Sequence, residues 1–269
     1  MLPSEVPSPD SPSFGVQRRH ALRLLGGSMG AAALLGLAAC RSAPPAATPA
    51  RPAARPVTRR KPRLALALGG GAARGFAHVG ALEVLEEAGI RPNIVVGTSA
   101  GSVVGAIYAS GVRGKALRDA AQALDKNAIA DWQVPFFNRG LLRGAALECF
   151  INQQVGSRPI QAMPITLGIV ATDLQSGQGI LFRSGNTGQA VRASSAVPGV
   201  FEPVRIGSRE YVDGGLVAPV PVNYARQLGG EVVVAIDISS EPTAEAASSQ
   251  AQVVLKTFSI MGATSIPMS

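Results

Sequence analysis

The sequence predicts an α/β domain with a mainly parallel central sheet and helices on both faces. An export segment and a linker precede it. Three observations carry the prediction. Short apolar runs alternate with helical stretches along the chain. Glycine-rich turns follow the first two of these runs. The 269 residues are 46% apolar, with 31 glycines and only 4% aromatics. Small residues suit close packing of helices on a sheet, and strands alternating with helices build a parallel sheet covered on both sides.

The elements follow in order. Arg63–Leu68 reads as a buried strand. Phe76–Ala88 has helical spacing, with Val79, Leu82 and Leu85 on one side, and ends at Gly89. Ile94–Val96 is a second strand, and Ala100–Ser110 a second helix closed by Gly111. Helical stretches near 114–126 and 143–155 flank Trp132–Gly140. Strand patterns return at Ile165–Thr172, Gly179–Arg183 and Glu210–Val212. Val222–Leu228 is a helix before the last strand, Glu231–Ile238. No internal repeat is visible.

Residues 1–39 read as a signal peptide. A Pro/Ser-rich start leads to Arg18, Arg19 and Arg23, and then to the apolar stretch Leu24–Ala39. That stretch is shorter than the roughly 20 residues a spanning helix needs, and small residues close it as they close a signal sequence. Leu37-Ala38-Ala39-Cys40 resembles the bacterial lipobox, which implies that Cys40 is acylated, with palmitate or a similar chain, and becomes the mature N-terminus. The paired arginines resemble a twin-arginine signal in part, since Gln17 and Ala21 stand where that motif prefers Ser/Thr and Phe. Export is therefore expected, by either route. Arg41 follows the cysteine, which by resemblance to lipoprotein sorting favours the periplasmic face of an outer membrane.

Residues 40–62 form a Pro/Ala/Arg-rich linker. At ~3.1 Å per residue in extended polyproline form it reaches roughly 65 Å. Its basic residues can each add about 1 kcal/mol of attraction to anionic headgroups. Charge is concentrated in this N-terminal region. Residues 1–63 hold ten Arg or Lys against Glu5 and Asp10, which accounts for the whole net charge of +8 and leaves 15 basic and 15 acidic residues for 64–269. Residues 64–269 are thus electroneutral, without the basic face that nucleic-acid binding requires. With Cys40 modified, Cys149 has no disulfide partner, and it is expected on the buried side of a helix. The only histidines are His20 and His78.

Two glycine-rich segments carry the chemistry. Gly97-Thr98-Ser99-Ala100-Gly101 matches G-x-S-x-G between a strand and a helix, a turn that lifts a serine hydroxyl out at a helix N-terminus. A capping serine in a plain turn would look the same. Gly69-Gly70-Gly71-Ala72-Ala73-Arg74-Gly75 ends the first strand. Consecutive glycines let backbone N–H groups converge on a phosphate or an oxyanion. A Walker loop fails because Phe76-Ala77 follows Gly75 in place of Lys-Ser/Thr. The dinucleotide fingerprint fails at Arg74. An oxyanion hole beside the serine turn remains. No histidine follows Ser99, so the chain order of an α/β-hydrolase triad cannot be met. Asp213-Gly214-Gly215 offers a carboxylate on a strand-to-loop turn, although Asp-Gly-Gly alone reads as an ordinary turn.

Together, and in this order, the Gly-rich loop, G-x-S-x-G and D-G-G resemble the patatin-like phospholipase family. Gly140-Leu-Leu-Arg-Gly144, Ala171-Thr-Asp173 and Ala193-Ser-Ser-Ala-Val-Pro198 look like its bacterial members. The resemblance runs from residue 63 to about 262. It implies hydrolysis of acyl esters in membrane lipids through an acyl-serine, with Ser99 as nucleophile, Asp213 as base and no metal or cofactor. Carried over by residue, Gly70, Gly71, Arg74 and Gly75 form the oxyanion loop, and Gly97, Gly101, Gly214 and Gly215 shape the two turns. His78 is expected inside its helix in a packing or hydrogen-bonding role. Such proteins usually continue past the helix begun by Ala251–Gly262. Ending on an unpatterned Ser-Ile-Pro-Met-Ser269, this sequence is expected to be cut short there. Two other functions stay open: a catalytically weak lipid-binding or tethering lipoprotein, and a hydrolase of soluble esters or thioesters. Oligomeric state is not legible.

Overall fold

The computed structural model describes residues 60–124 and 142–239, and four positions of a helix beyond them, Val253, Lys256, Thr257 and Ile260. The export segment, Cys40, the linker, Trp132–Gly140, Leu141 and most of 251–262 lie outside the described residues.

The sheet is built around four parallel strands in the order β7-β1-β2-β3: β7 (Val232–Ile236), β1 (Leu64–Leu68), β2 (Ile94–Thr98) and β3 (Thr166–Asp173). β1 and β2 are apolar runs without alternation because both of their faces are covered, as parallel strands require. On one face Leu66, Leu68 and Val95 pack against four helices. These are α1 (Phe76–Glu87), α2 (Ala100–Ala109), α3 (Gly114–Gln122) and α4 (Ala145–Gln154). On the other face Ala65, Ala67, Ile94, Val96 and Val170 meet Ala225 and Tyr224 of α6 (Val222–Gln227). Helices therefore cover both faces, as the sequence predicts.

The sheet is mixed, because three further strands are antiparallel to β3 or to each other. β4 (Gly179–Phe182) and β6 (Arg209–Asp213) pair with β3, and β5 (Val204–Ile206) pairs with β6. The pairing along β3 decides where the site forms. β4 runs unbroken along Ile169–Thr172 on one edge. β2 and β6 must then share the other edge. β2 takes it as far as Val170, opposite Thr98, and β6 takes it from Ala171, opposite Asp213. The end of β6 therefore meets the end of β2 head-on, and Asp213 arrives beside the residue after Thr98.

Two elements carry no sequence signal of their own. β5 is three residues long, too short for a period to show. α5 (Thr187–Ser194) is an eight-residue helix rich in Thr, Gly and Ser; it is started by Asn186, whose side chain accepts the Gln189 N–H at 2.8 Å. One expectation is corrected: Cys149 is exposed. Leu147 and Ile151 are the buried residues of α4, and a position midway between them is turned away from the core.

Candidate active site

The turn that carries Ser99 is fixed by sterics. Between β2 and α2, Ser99 has φ 51° and ψ −122°, a region that L-residues avoid unless their surroundings hold them there. The neighbouring glycines allow it. A Cβ on Gly97 would run into the Gly101 carbonyl oxygen, and one on Gly101 would overlap the carbonyl oxygen of Leu68. Hydrogen bonds hold the strained residue on both sides. Its N–H donates to Ser194 Oγ at 2.9 Å, and Ser194 Oγ donates to the Val170 carbonyl at 2.6 Å. Its carbonyl accepts from Ser102 N at 2.8 Å and Ser102 Oγ at 2.7 Å.

Asp213, the last residue of β6, is 2% exposed. Its Oδ2 accepts the Ser99 hydroxyl at 2.7 Å, and its Oδ1 accepts the Gly215 N–H at 2.6 Å. Burial pushes the carboxyl up to about 6, and the bonds from Ser99 and Gly215 offset part of that rise. The backbone is held as well. Asp213 N donates to the Ala196 carbonyl at 3.0 Å, and the Asp213 carbonyl accepts Thr172 Oγ1 at 2.8 Å. Gly214 is packed so closely that a Cβ there would overlap the Val170 carbonyl oxygen.

The glycine-rich loop lies against the same serine, and its residues play different parts. A Cβ on Gly70 would stand 3.3 Å from Ser99 Cβ, and one on Gly75 would stand 3.2 Å from Ala100 Cβ. The Gly70 N–H is committed to the Pro219 carbonyl at 2.9 Å. Gly71 has no room for a side chain against Ile238. Arg74 braces the loop from outside, its Nε donating to the Ile238 carbonyl at 2.9 Å. Among the described residues the Gly71 and Ala72 N–H groups have no acceptor. Ala72 holds φ 49°, in the left-handed region, at the start of the 3-10 turn Ala72–Gly75. Such uncommitted amides are donors the loop can offer to an oxyanion.

His78 is fully buried in α1, with Nε2 2.8 Å from the Gly69 carbonyl oxygen, so that nitrogen carries the proton. Burial lowers its pKa, and the Gly69 carbonyl offsets part of that shift. Neither ring nitrogen bonds Ser99 or Asp213, and Nδ1 has no partner among the described residues. Among the described residues no three His, Cys, Asp or Glu side chains group to hold a metal ion. No described helix is long and apolar enough to cross a membrane.

Ser99, Asp213, the loop and both pairs of turn glycines therefore meet at one end of the parallel strands. Sequence reasoning missed Ser194, Ser102 and Thr172 as supports. Ser194 stood within the quoted Ala193–Pro198 block, but nothing local says that its hydroxyl reaches a turn 95 residues away.

The family model for patatin-like phospholipase matches residues 66–226. An uncharacterised NTE family protein of Mycobacterium tuberculosis is 33% identical over 193 residues, covering 71% of this chain and 53% of that protein. The chain thus spans about half the length of these mycobacterial relatives. Patatin-like phospholipase domain-containing protein 6 of Mus musculus is 31% identical over 186 residues, 66% of this chain and 14% of that one. Among solved structures, the heterodimeric ExoU–SpcU complex from the type III secretion system of Pseudomonas aeruginosa aligns at a TM-score of 0.43. It is 19% identical, covering 76% of this chain and 51% of that chain. With the family model spanning most of the domain, this chain belongs to the patatin-like phospholipase family.

Proposed function

We propose that the protein is a lipid acyl-hydrolase that cleaves acyl esters through an acyl-serine, with Ser99 as nucleophile and Asp213 as its base. The observation that carries the proposal is the 2.7 Å hydrogen bond from Ser99 Oγ to a carboxylate that is almost wholly buried. A nucleophile already bonded to its base needs no rearrangement before attack.

In the proposed reaction Ser99 Oγ attacks the acyl carbonyl carbon while its proton passes to Asp213 Oδ2. The developing oxyanion is met by the Gly71 and Ala72 amides and by the N-terminal end of α2. As the intermediate collapses, the carbon–oxygen bond to the leaving alcohol breaks and that oxygen takes the proton from Asp213. Water then attacks the acyl carbon, giving its proton to Asp213; the bond from that carbon to Ser99 Oγ breaks, the acyl group leaves as the carboxylic acid, and Ser99 Oγ takes the proton back from Asp213. A carboxyl raised to about 6 accepts protons better than an ordinary aspartate and is still ionised at neutral pH.

Supporting the lipid reading is the family membership, and supporting a surface location is the Cys40 lipobox with its basic linker. The protein is proposed to be anchored through acylated Cys40 and to meet membrane lipids at the cell envelope. Replacement of Ser99 by Ala is expected to abolish both ester hydrolysis and labelling by a fluorophosphonate probe. Undiminished labelling of that variant would show that another residue reacts. Faster turnover of micellar than monomeric ester supports a lipid substrate over a soluble one. For the anchor, Cys40→Ala should yield soluble protein where the parent partitions with membranes, since multiple acyl chains hold stably.

A further inference from the structure

Three residues of pairing place the base. β6 meets β3 only at Ala171↔Asp213, Thr172↔Val212 and Asp173↔Tyr211. A slip of one residue would turn every β6 side chain to the opposite face. Asp213 would then leave Ser99. The Asp213 backbone bonds to Ala196 and Thr172 hold the far end of the strand, and its start needs a hold of its own.

We propose that the ion pair between Asp173 and Arg209 is a register lock for β6, making both positioning residues for the proposed base Asp213. Asp173 is 1% exposed, at the last position of β3. Its Oδ1 is fixed by the Gln175 and Ser176 amides at 2.9 and 3.0 Å, in the turn leading to β4. Its Oδ2 is left to accept Arg209 Nη1 at 2.6 Å. The carboxylate therefore cannot follow a moving strand, and Arg209 must come to it.

The geometry makes the pair sensitive to register. Arg209 and Asp213 are four residues apart on one strand, so their side chains share a face. When Arg209 reaches Asp173, Asp213 is turned toward Ser99, and a one-residue slip breaks both contacts together. Leu174 N also donates to the Glu210 carbonyl at 2.8 Å, so the lock closes at the start of β6, opposite the end that carries Asp213. Nothing in this arrangement requires Arg209 to touch substrate.

The inference rests on Asp213 being the base, so the experiment includes Asp213→Asn as a separate arm. Arg209→Gln, Arg209→Lys and Asp173→Asn are assayed on a soluble monomeric ester across pH, with circular dichroism reporting folding. Arg209→Gln is expected to lower kcat about tenfold with KM within about twofold, the effect of a displaced catalytic group. Arg209→Lys should recover activity to within about threefold of the parent. Asp173→Asn keeps an amide acceptor for the turn and loses the charge, and it should resemble Arg209→Gln. In the loosened variants Asp213 is better hydrated, so the acid limb of kcat/KM should move to lower pH. A purely structural loss would lower melting temperature without moving that limb. Folded variants with parental kcat and an unmoved acid limb overturn the lock, as does a rise in KM alone, which would place Arg209 on the substrate. Should Arg209→Gln not fold, Asp173→Asn and Arg209→Lys decide by the same criteria. If Asp213→Asn keeps full activity, the assignment of the base fails; if it is inactive while the lock variants match the parent, the lock alone fails.

Discussion

The two halves of the proposed dyad are held in different ways. Ser99 stands on the parallel core, where β2 is flanked along its length by β1 and β3 and the glycines at 97 and 101 are packed against backbone atoms. Asp213 is added from the antiparallel side by a strand that meets β3 through three residue pairs and is secured by polar contacts. Backbone packing dominates around Ser99, which hydrogen bonds also hold, and polar contacts dominate around Asp213, beside which Gly214 packs on the Val170 carbonyl. A perturbation on the first side should act on the whole fold, and one on the second should act on catalysis before stability.

Gly101→Ala is expected to have the largest effect. Its Cβ would overlap the Leu68 carbonyl, and backbone cannot swing aside as a side chain can. Overpacking at a site with no give should exceed ~4 kcal/mol, so little folded protein should appear by circular dichroism. A folded, active variant would break the contrast between the two sides.

Asp213→Asn sharpens the comparison through pH. The carboxyl is raised from 3.8 to about 6, so the folded state holds this proton more tightly than the unfolded chain does. That contribution to stability is fully present below the unfolded pKa of 3.8 and is lost as pH rises through about 6. Ionised Asp213 therefore costs the fold at most about 3 kcal/mol at neutral pH, at 1.36 kcal/mol per unit. The asparagine variant should gain a melting-temperature advantage between pH 4 and 6, keep it above, and show none near pH 3. A base kept at the expense of stability is what a catalytic group predicts. An advantage that is the same at every pH would refute it.

Ser194→Ala comes next. Removing its hydroxyl leaves the Ser99 N–H and the Val170 carbonyl without their partner. A buried donor left unsatisfied costs about 1–3 kcal/mol, and loss of one brace on a strained serine should lower kcat about tenfold. Chemical denaturation and steady-state kinetics check both effects. Ser194→Thr, which keeps the hydroxyl, should recover most of the rate.

The same division explains what could be read from the sequence. On the parallel side β1, α1, β2 and α2 appear within a residue or two of their observed ends, because apolar runs stop at glycines that the fold requires. Ser99 is legible there for the same reason: Gly97 and Gly101 mark the turn. Asp213 was legible only through its company, since Asp-Gly-Gly has no local meaning beyond a turn. β5 and α5 were not legible, being too short or too polar to show a period. Neither was the commitment of the Gly70 amide to Pro219, nor the reach of Ser194 to Ser99. Those contacts depend on how β6 and α5 close over β3, and strand pairing between distant segments leaves no mark on either segment alone. Cys149 was misplaced because the burial of small apolar residues is a tendency, while the Leu147–Ile151 spacing defines the actual inner face.

The central claim is that the carboxylate brought in by β6 is the base and that the only described histidine is not. It is tested most directly by kcat on a soluble ester for Asp213→Asn and His78→Gln, with circular dichroism confirming that both fold. Loss of a general base costs roughly 10²–10⁴-fold, and Asp213→Asn is predicted to fall on that scale. His78 touches the Gly69 carbonyl and neither member of the dyad, so His78→Gln is predicted to stay within about tenfold of the parent. A folded His78→Gln as inactive as Asp213→Asn would contradict the account.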